Sequence, residues 1–273
     1  MSTQQAAASS PITVNTLRKM KSEGEKIVCL TAYDASFATL VDQAGVDVIL
    51  VGDSLGMVLQ GRDTTVPVTM NDMVYHTAMV ARGSRRPLLM ADMPFMSFPS
   101  PEQALMNAAR LMQEGLAHMV KLEGGDMQFS VVQCLTEHGI PVCAHIGLQP
   151  QSIHKLGGYR VQGRGDEAAS SMCDDAKRLE DAGAAVLLLE CVPTPLARKI
   201  TEMVSVPVIG IGAGPDCDGQ ILVLYDMLGI TPGKRLRFTK DFLEHAAHIP
   251  DALAEYVRAV KAREFPGPAH GFD

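Results

Sequence analysis

The sequence predicts an α/β fold, a (β/α)₈ barrel of the TIM type, and three observations carry that expectation. Short apolar runs alternate with amphipathic stretches about eight times along the chain. Glycines stand a few residues before several of the runs, where helices would end. Ionisable residues follow five consecutive runs, as expected of the catalytic rim of a barrel. At 273 residues the chain suits one barrel domain, 1–273, although an open doubly wound sheet would show a similar alternation.

Taken in order, residues 1–11 are small and polar, with no apolar stretch of the kind a signal peptide needs, and are expected to form a flexible leader. The apolar runs then fall at 27–30, 46–51, 87–90, 118–122, 141–144, 185–189, 207–211 and 221–224. Each is short, most are rich in Val, Ile or Leu, and most show little alternation. Strands buried on both faces of a parallel sheet read this way. Between them, Ser100-Pro101-Glu102-Gln103 combines an N-cap serine, a proline at the first helical position and a glutamine placed to close a capping box. Thr194-Pro195 predicts a second helix start of the same kind. Gly45, Gly115, Gly139 and Gly183 are placed to end helices. Residues 146–166 hold five glycines and neither periodicity, so they form either a flap over a site or a plain surface excursion. His245 and His248 fall on one predicted helical face, as surface residues. The last segment, 265–273, reads as a tail.

Composition excludes several functions. The net charge is −7 and the basic residues form no block longer than Arg85-Arg86, so no nucleic-acid surface is expected. No apolar run approaches the roughly 20 residues needed to cross a bilayer. Six cysteines include no C-x-x-C pair, and most lie in apolar runs, where Cys behaves as a small hydrophobe. A soluble, cytoplasmic protein is the expectation.

The chemistry gathers where runs end. Asp53-Ser54 follows Val51-Gly52, Asp92 follows Ala91, Lys121 and Glu123 close the fourth run, His145 the fifth and Glu190 the sixth. Singly, Asp53 or Asp92 could be a turn or capping residue, and His145 a hydrogen-bonded structural histidine. Lys121 and Glu123 are two apart on a strand and must face the same way, which buries charge unless it has a partner or a task. Neighbouring carboxylates make an oxygen-rich pocket suited to a hard divalent cation such as Mg²⁺. No H-E-x-x-H or Cys/His cluster points to zinc. The glycines from Gly210 to Gly214 allow either a phosphate-binding loop or close backbone packing.

The motifs Val51-Gly52-Asp53-Ser54-Leu55-Gly56-Met57, Ala91-Asp92-Met93-Pro94-Phe95 and Val120-Lys121-Leu122-Glu123-Gly124-Gly125 resemble the ketopantoate hydroxymethyltransferase family. So do His145-Ile146-Gly147-Leu148-Gln149-Pro150-Gln151-Ser152, Gly157-Gly158-Tyr159 and Leu189-Glu190-Cys191-Val192-Pro193. The resemblance runs from about Thr31 to near Ala262, with no departure at a site position. It implies a barrel of the phosphoenolpyruvate/pyruvate type, assembled as a homodecamer. It also implies transfer of a hydroxymethyl group from 5,10-methylenetetrahydrofolate to 3-methyl-2-oxobutanoate, through a Mg²⁺-stabilised enolate, giving 2-dehydropantoate on the route to pantothenate and coenzyme A. Carried over, Asp53, Asp92 and Glu123 are magnesium ligands. Asp53, Ser54, Asp92, Lys121 and His145 bind the keto acid, and Glu190 is the general base. The competing readings are a Mg²⁺-dependent carbon–carbon lyase of the same superfamily and a non-catalytic keto-acid-binding protein. The first lacks its usual loop cysteine here, and the second would not require a base.

Overall fold

The computed structural model describes residues 10–233 and 235–273, so most of the expected leader lies outside the described residues. Eight parallel strands follow one another around a closed barrel: β1 (Ile27–Thr31), β2 (Val48–Val51), β3 (Leu88–Asp92), β4 (Met119–Glu123), β5 (Val142–Gly147), β6 (Val186–Glu190), β7 (Val208–Ile211) and β8 (Gly219–Leu222). Closure pairs Ile27 with Gly219 and Leu30 with Leu222. The open sheet is therefore excluded.

The apolar runs lack visible alternation because both faces of each strand are covered, but the two faces bury different things. Outward residues such as Val28, Leu30, Ile49, Leu89, Val120 and Leu187 pack into the main core with the surrounding helices. Inward residues (Ile27, Val48, Leu88, Met119, Val186 and Ile209 among them) form a second core inside the barrel. That core is sealed at the amino-terminal end by Ile12 and by Leu17 and Met20 of the helix Val14–Glu23. The barrel floor is thus solid, which leaves space only at the opposite end. Strands β3 to β6 carry apolar inward residues low in the barrel and ionisable ones toward the carboxyl end, whereas β7 and β8 end in the apolar Ile211 and Leu222.

Four local expectations are corrected. The last strand begins at Gly219, two residues before the apolar run, and excludes Val223 and Leu224. Gly219 is squeezed between β1 and β7, where a Cβ would lie 2.4 Å from the Ile27 carbonyl oxygen, so tertiary fit rather than propensity sets this strand. Ser100 does cap the helix Pro101–Gln113, accepting from the Gln103 N–H, but the Gln103 side chain donates to the Met96 carbonyl instead of closing a box. Thr194 is the first residue of the helix Thr194–Met203, not its cap, and its N–H donates to the Phe272 carbonyl. His245 and His248 are exposed, yet they precede the helix Ile249–Lys261 rather than lying on it. No helix among the described residues is long and apolar enough to cross a membrane.

Candidate active site

Strand register places the site. Asp92 on β3 lies directly beside Lys121 on β4, and Glu123 lies beside His145 on β5. Glu190, at the end of β6, pairs with Gly147 and so stands one step above His145. Because strand side chains alternate, Lys121 and Glu123 share the inward face. Asp53 and Ser54 sit just past β2, at the entrance to the short helix Leu55–Val58. All seven residues line one cavity of about 730 Å³ at the carboxyl end of the barrel. Asp53, Asp92, Lys121, Glu123 and His145 are buried, whereas the Glu190 side chain keeps 16% of its surface exposed.

The electrostatics follow from this crowding. The Lys121 ammonium donates to Asp92 Oδ1, and Asp92 Oδ2 accepts the Asp53 backbone N–H at 3.0 Å. Burial opposes charge on Lys121, but Asp92, Glu123 and Asp53 outweigh it and hold its pKa well above the ordinary lysine value. Burial, then the nearby Asp92 and Glu123 charges, push the Asp53 carboxyl well above the usual range, against the pull of Lys121 and Gln151. The His145 ring bridges two acids, with Nδ1 3.5 Å from Glu123 and Nε2 3.4 Å from Glu190. Burial and Lys121 both work against an imidazolium there. The two carboxylates prevail, and the His145 pKa is raised to about 9.

Three carboxylates therefore face a single lysine, and Glu123 Oε1 is buried without a hydrogen-bond partner. Among the described residues, no three His, Cys, Asp or Glu side chains form a closed metal cage. Lys121 and Gln151 occupy oxygens that such a cage would use. The donor chemistry nevertheless fits Mg²⁺, which binds through one or two carboxylates and completes its shell with water and substrate oxygens. An orphaned, buried carboxylate oxygen and an acid held protonation-prone by its neighbours are what an added cation relieves.

Gln151 is the site residue that reasoning from strand ends misses, because it lies on no strand. Residues 146–166 complete β5, turn through Pro150–Ser152, form the short helix Ile153–Leu156, and return Tyr159, Arg160 and Val161 to the cavity wall. From that segment the buried Gln151 side-chain amide donates to Asp53 Oδ2 and to the Met93 carbonyl, both at 2.9 Å. Its backbone N–H donates to Glu123 Oε2 at 3.0 Å. The available signal was Gln149-Pro150-Gln151-Ser152, a proline-initiated turn straight after a strand. Replacing Gln151 with Ala strands a buried acceptor, at a cost of about 1–3 kcal/mol. Amide hydrogen exchange across 146–166 is therefore expected to quicken by roughly tenfold or more in Gln151→Ala; an unchanged rate would mean that the latch does not hold the segment.

The glycines of 210–214 serve packing. A Cβ at Gly210 would meet the Cys217 sulfur at 2.8 Å, and one at Gly214 would meet the Thr194 side chain at 2.5 Å. Of this stretch, only Ile211 borders the cavity.

Eight parallel strands closed into a barrel, with the acids gathered at the carboxyl rim, define a (β/α)₈ barrel of the TIM class. Solved structures agree. A phosphonomutase-like protein from Burkholderia cenocepacia J2315 superposes with a TM-score of 0.63 at 15% identity, over 79% of this chain and 94% of its own. The lyase for 2,3-dimethylmalate gives 0.55 at 15% identity, over 93% and 99%. Within that class the sequence is decisive. Residues 11–268 match the model for ketopantoate hydroxymethyltransferase, and the chain belongs to that family. It is 62% identical to the 3-methyl-2-oxobutanoate hydroxymethyltransferase of Alkalilimnicola ehrlichii, over 96% of this chain and 95% of that protein. The corresponding protein of Neisseria meningitidis is 58% identical, over 96% and 99%.

Proposed function

We propose that the chain, read as one barrel unit over 1–273, transfers a hydroxymethyl group from 5,10-methylenetetrahydrofolate to 3-methyl-2-oxobutanoate, yielding 2-dehydropantoate for pantothenate and coenzyme A synthesis. The observation that carries this reading is the division of the rim. Lys121 with Asp53, Asp92 and Glu123 makes one charged cluster, and Glu190 stands apart from it beyond His145. Family membership over nearly the whole chain supports the same reaction.

A C–H beside a ketone is too weakly acidic for a carboxylate to remove unaided. Mg²⁺ held by residues among Asp53, Asp92 and Glu123 would supply Lewis acidity to the keto acid's oxygens when bound. Lys121 adds fixed positive charge to that chamber in a setting that excludes most water. Ser54, whose hydroxyl is 2.9 Å from the Tyr33 phenol, helps orient the keto acid. Glu190, the most open acid of the set, takes the C3 proton on its carboxylate. His145 Nε2 lies 3.4 Å from that carboxylate and is placed to orient it. The freed C3 electron pair then forms the new C–C bond to the one-carbon unit, whose C–N bonds to the folate break, with water supplying the hydroxyl oxygen and tetrahydrofolate leaving as the second product.

A homodecamer in the cytoplasm completes the reading. Exposed Tyr75, Met106 and Met127 offer apolar surface for assembly, and five of the six cysteines are buried as free thiols, as suits a reducing setting. The purified chain should form 2-dehydropantoate only when both methylenetetrahydrofolate and a divalent cation are supplied. Product formation without the folate, or none with both, would refute the proposal.

A further inference from the structure

The cavity is too large for its inner occupant. A five-carbon keto acid fills only part of about 730 Å³, a volume within the roughly 300–1,000 Å³ of pockets that enclose drug-sized ligands. The space beyond the acid cluster also has a different chemistry. It is walled by the segment after β2, including Met57, Arg62 and Thr65, and by the segment after β8, including Asp226, Arg237 and Phe238.

Four features of this outer chamber are unused by the reaction at the inner end. Thr65 is only 2% exposed, borders the cavity, and its hydroxyl has no hydrogen-bond partner. Asp226 is half-buried with no ion-pair partner among the described residues, and burial raises its pKa against the influence of the Thr231 hydroxyl. The Arg62 side chain, exposed at the mouth, has no hydrogen-bond or ion-pair partner among the described residues. Arg237 lies 5.5 Å from the Phe272 ring, which also borders the cavity, and spends only its Nε on the Ala269 carbonyl.

A half-buried, acceptor-only carboxylate matches an adjacent pair of N–H donors. A reduced pterin presents such a pair on its amino-pyrimidinone edge, next to a flat apolar body and, through the benzoyl linker, a dianionic glutamate that suits arginine. The keto acid has no N–H donor at all. We propose that the outer chamber is the reduced-folate subsite, with Asp226 receiving the amino-pyrimidinone edge, Thr65 a further ring heteroatom, and Arg62 and Arg237 the glutamate carboxylates. This assignment rests on the functional reading above, and it places the one-carbon donor over the keto acid, between the β8 and β2 sides of the rim.

Anaerobic calorimetry with tetrahydrofolate tests it. Asp226→Asn keeps the side chain's shape but removes one acceptor, so the Kd for tetrahydrofolate should rise about tenfold or more. The Kd for 3-methyl-2-oxobutanoate should stay within about twofold, which also reports that the variant is folded. Combined loss of both affinities would make Asp226 a structural residue and overturn its role. In a second arm, the wild type should bind tetrahydrofolate more tightly than 6-methyltetrahydropterin, which lacks the tail, and Arg62→Ala/Arg237→Ala should lose that preference. Wild-type binding with both variants unaffected overturns the subsite alone. No tetrahydrofolate binding by the wild type, together with no product formed, overturns the functional reading and the subsite with it.

Discussion

Glu190→Gln should nearly stop the exchange of the C3 hydrogen of 3-methyl-2-oxobutanoate for deuterium while leaving keto-acid and Mg²⁺ binding largely intact. The substitution keeps the size of the side chain and removes its basicity. Glu190 belongs to no ion pair with Lys121, and its nearest charged neighbour is His145 Nε2 at 3.4 Å. The charged cluster that binds the keto acid in this account therefore survives the change. Loss of a positioned general base typically costs about 10²–10⁴-fold in rate. The exchange rate, followed by NMR in deuterium oxide, should fall within that span, with kcat for product falling in parallel. Exchange at the wild-type rate would remove Glu190 from the role of base.

Asp92→Ala should have the opposite character, damaging both stability and cation binding. Asp92 is the direct partner of the Lys121 ammonium and accepts the Asp53 N–H. Lys121 and Asp92 are 5% and 3% exposed, so the alanine leaves a buried charge without its closest counterion. Breaking a buried pair usually costs about 3–5 kcal/mol. Here Asp53 and Glu123 still face Lys121 and recover part of it, so about 2–3 kcal/mol is expected from urea unfolding. Calorimetry should show Mg²⁺ affinity weakened at least about tenfold, since a charged ligand is gone. Asp92→Asn, which keeps an acceptor for the Asp53 N–H, should be the more stable variant and still bind Mg²⁺ poorly. Wild-type affinity in both would take Asp92 out of the metal site.

The barrel was legible because eight apolar runs and their intervening helices leave few topologies. The set of rim residues was legible for a related reason: a charge that ends an apolar run has nowhere to go but the rim. Distances within the set were not. The adjacency of Asp92 to Lys121 and of Glu123 to His145 depends on strand register, which a buried parallel sheet does not advertise in its pattern. Asp47 shows how far the pattern can mislead. Asp53 follows the second run, but Asp47 lies within it at the amino-terminal end, buried against Arg86 and Lys261 and far along the strand from the rim. Gln151, Thr65 and Asp226 were invisible for a third reason. They lie off the strands, Gln151 and Thr65 in connecting segments and Asp226 in the short helix Leu224–Met227, and only folding brings such a side chain to a particular carboxylate or cavity wall.

Deuterium exchange by the unmodified protein, measured without any folate, tests the central claim most directly. If the rim is an enolising site, 3-methyl-2-oxobutanoate in deuterium oxide should lose its C3 proton signal when protein and Mg²⁺ are both present, and keep it when either is omitted. A chain that formed 2-dehydropantoate without ever catalysing that exchange, or that exchanged the proton equally well without a divalent cation, would contradict the division of the rim into a cation-binding cluster and a separate base.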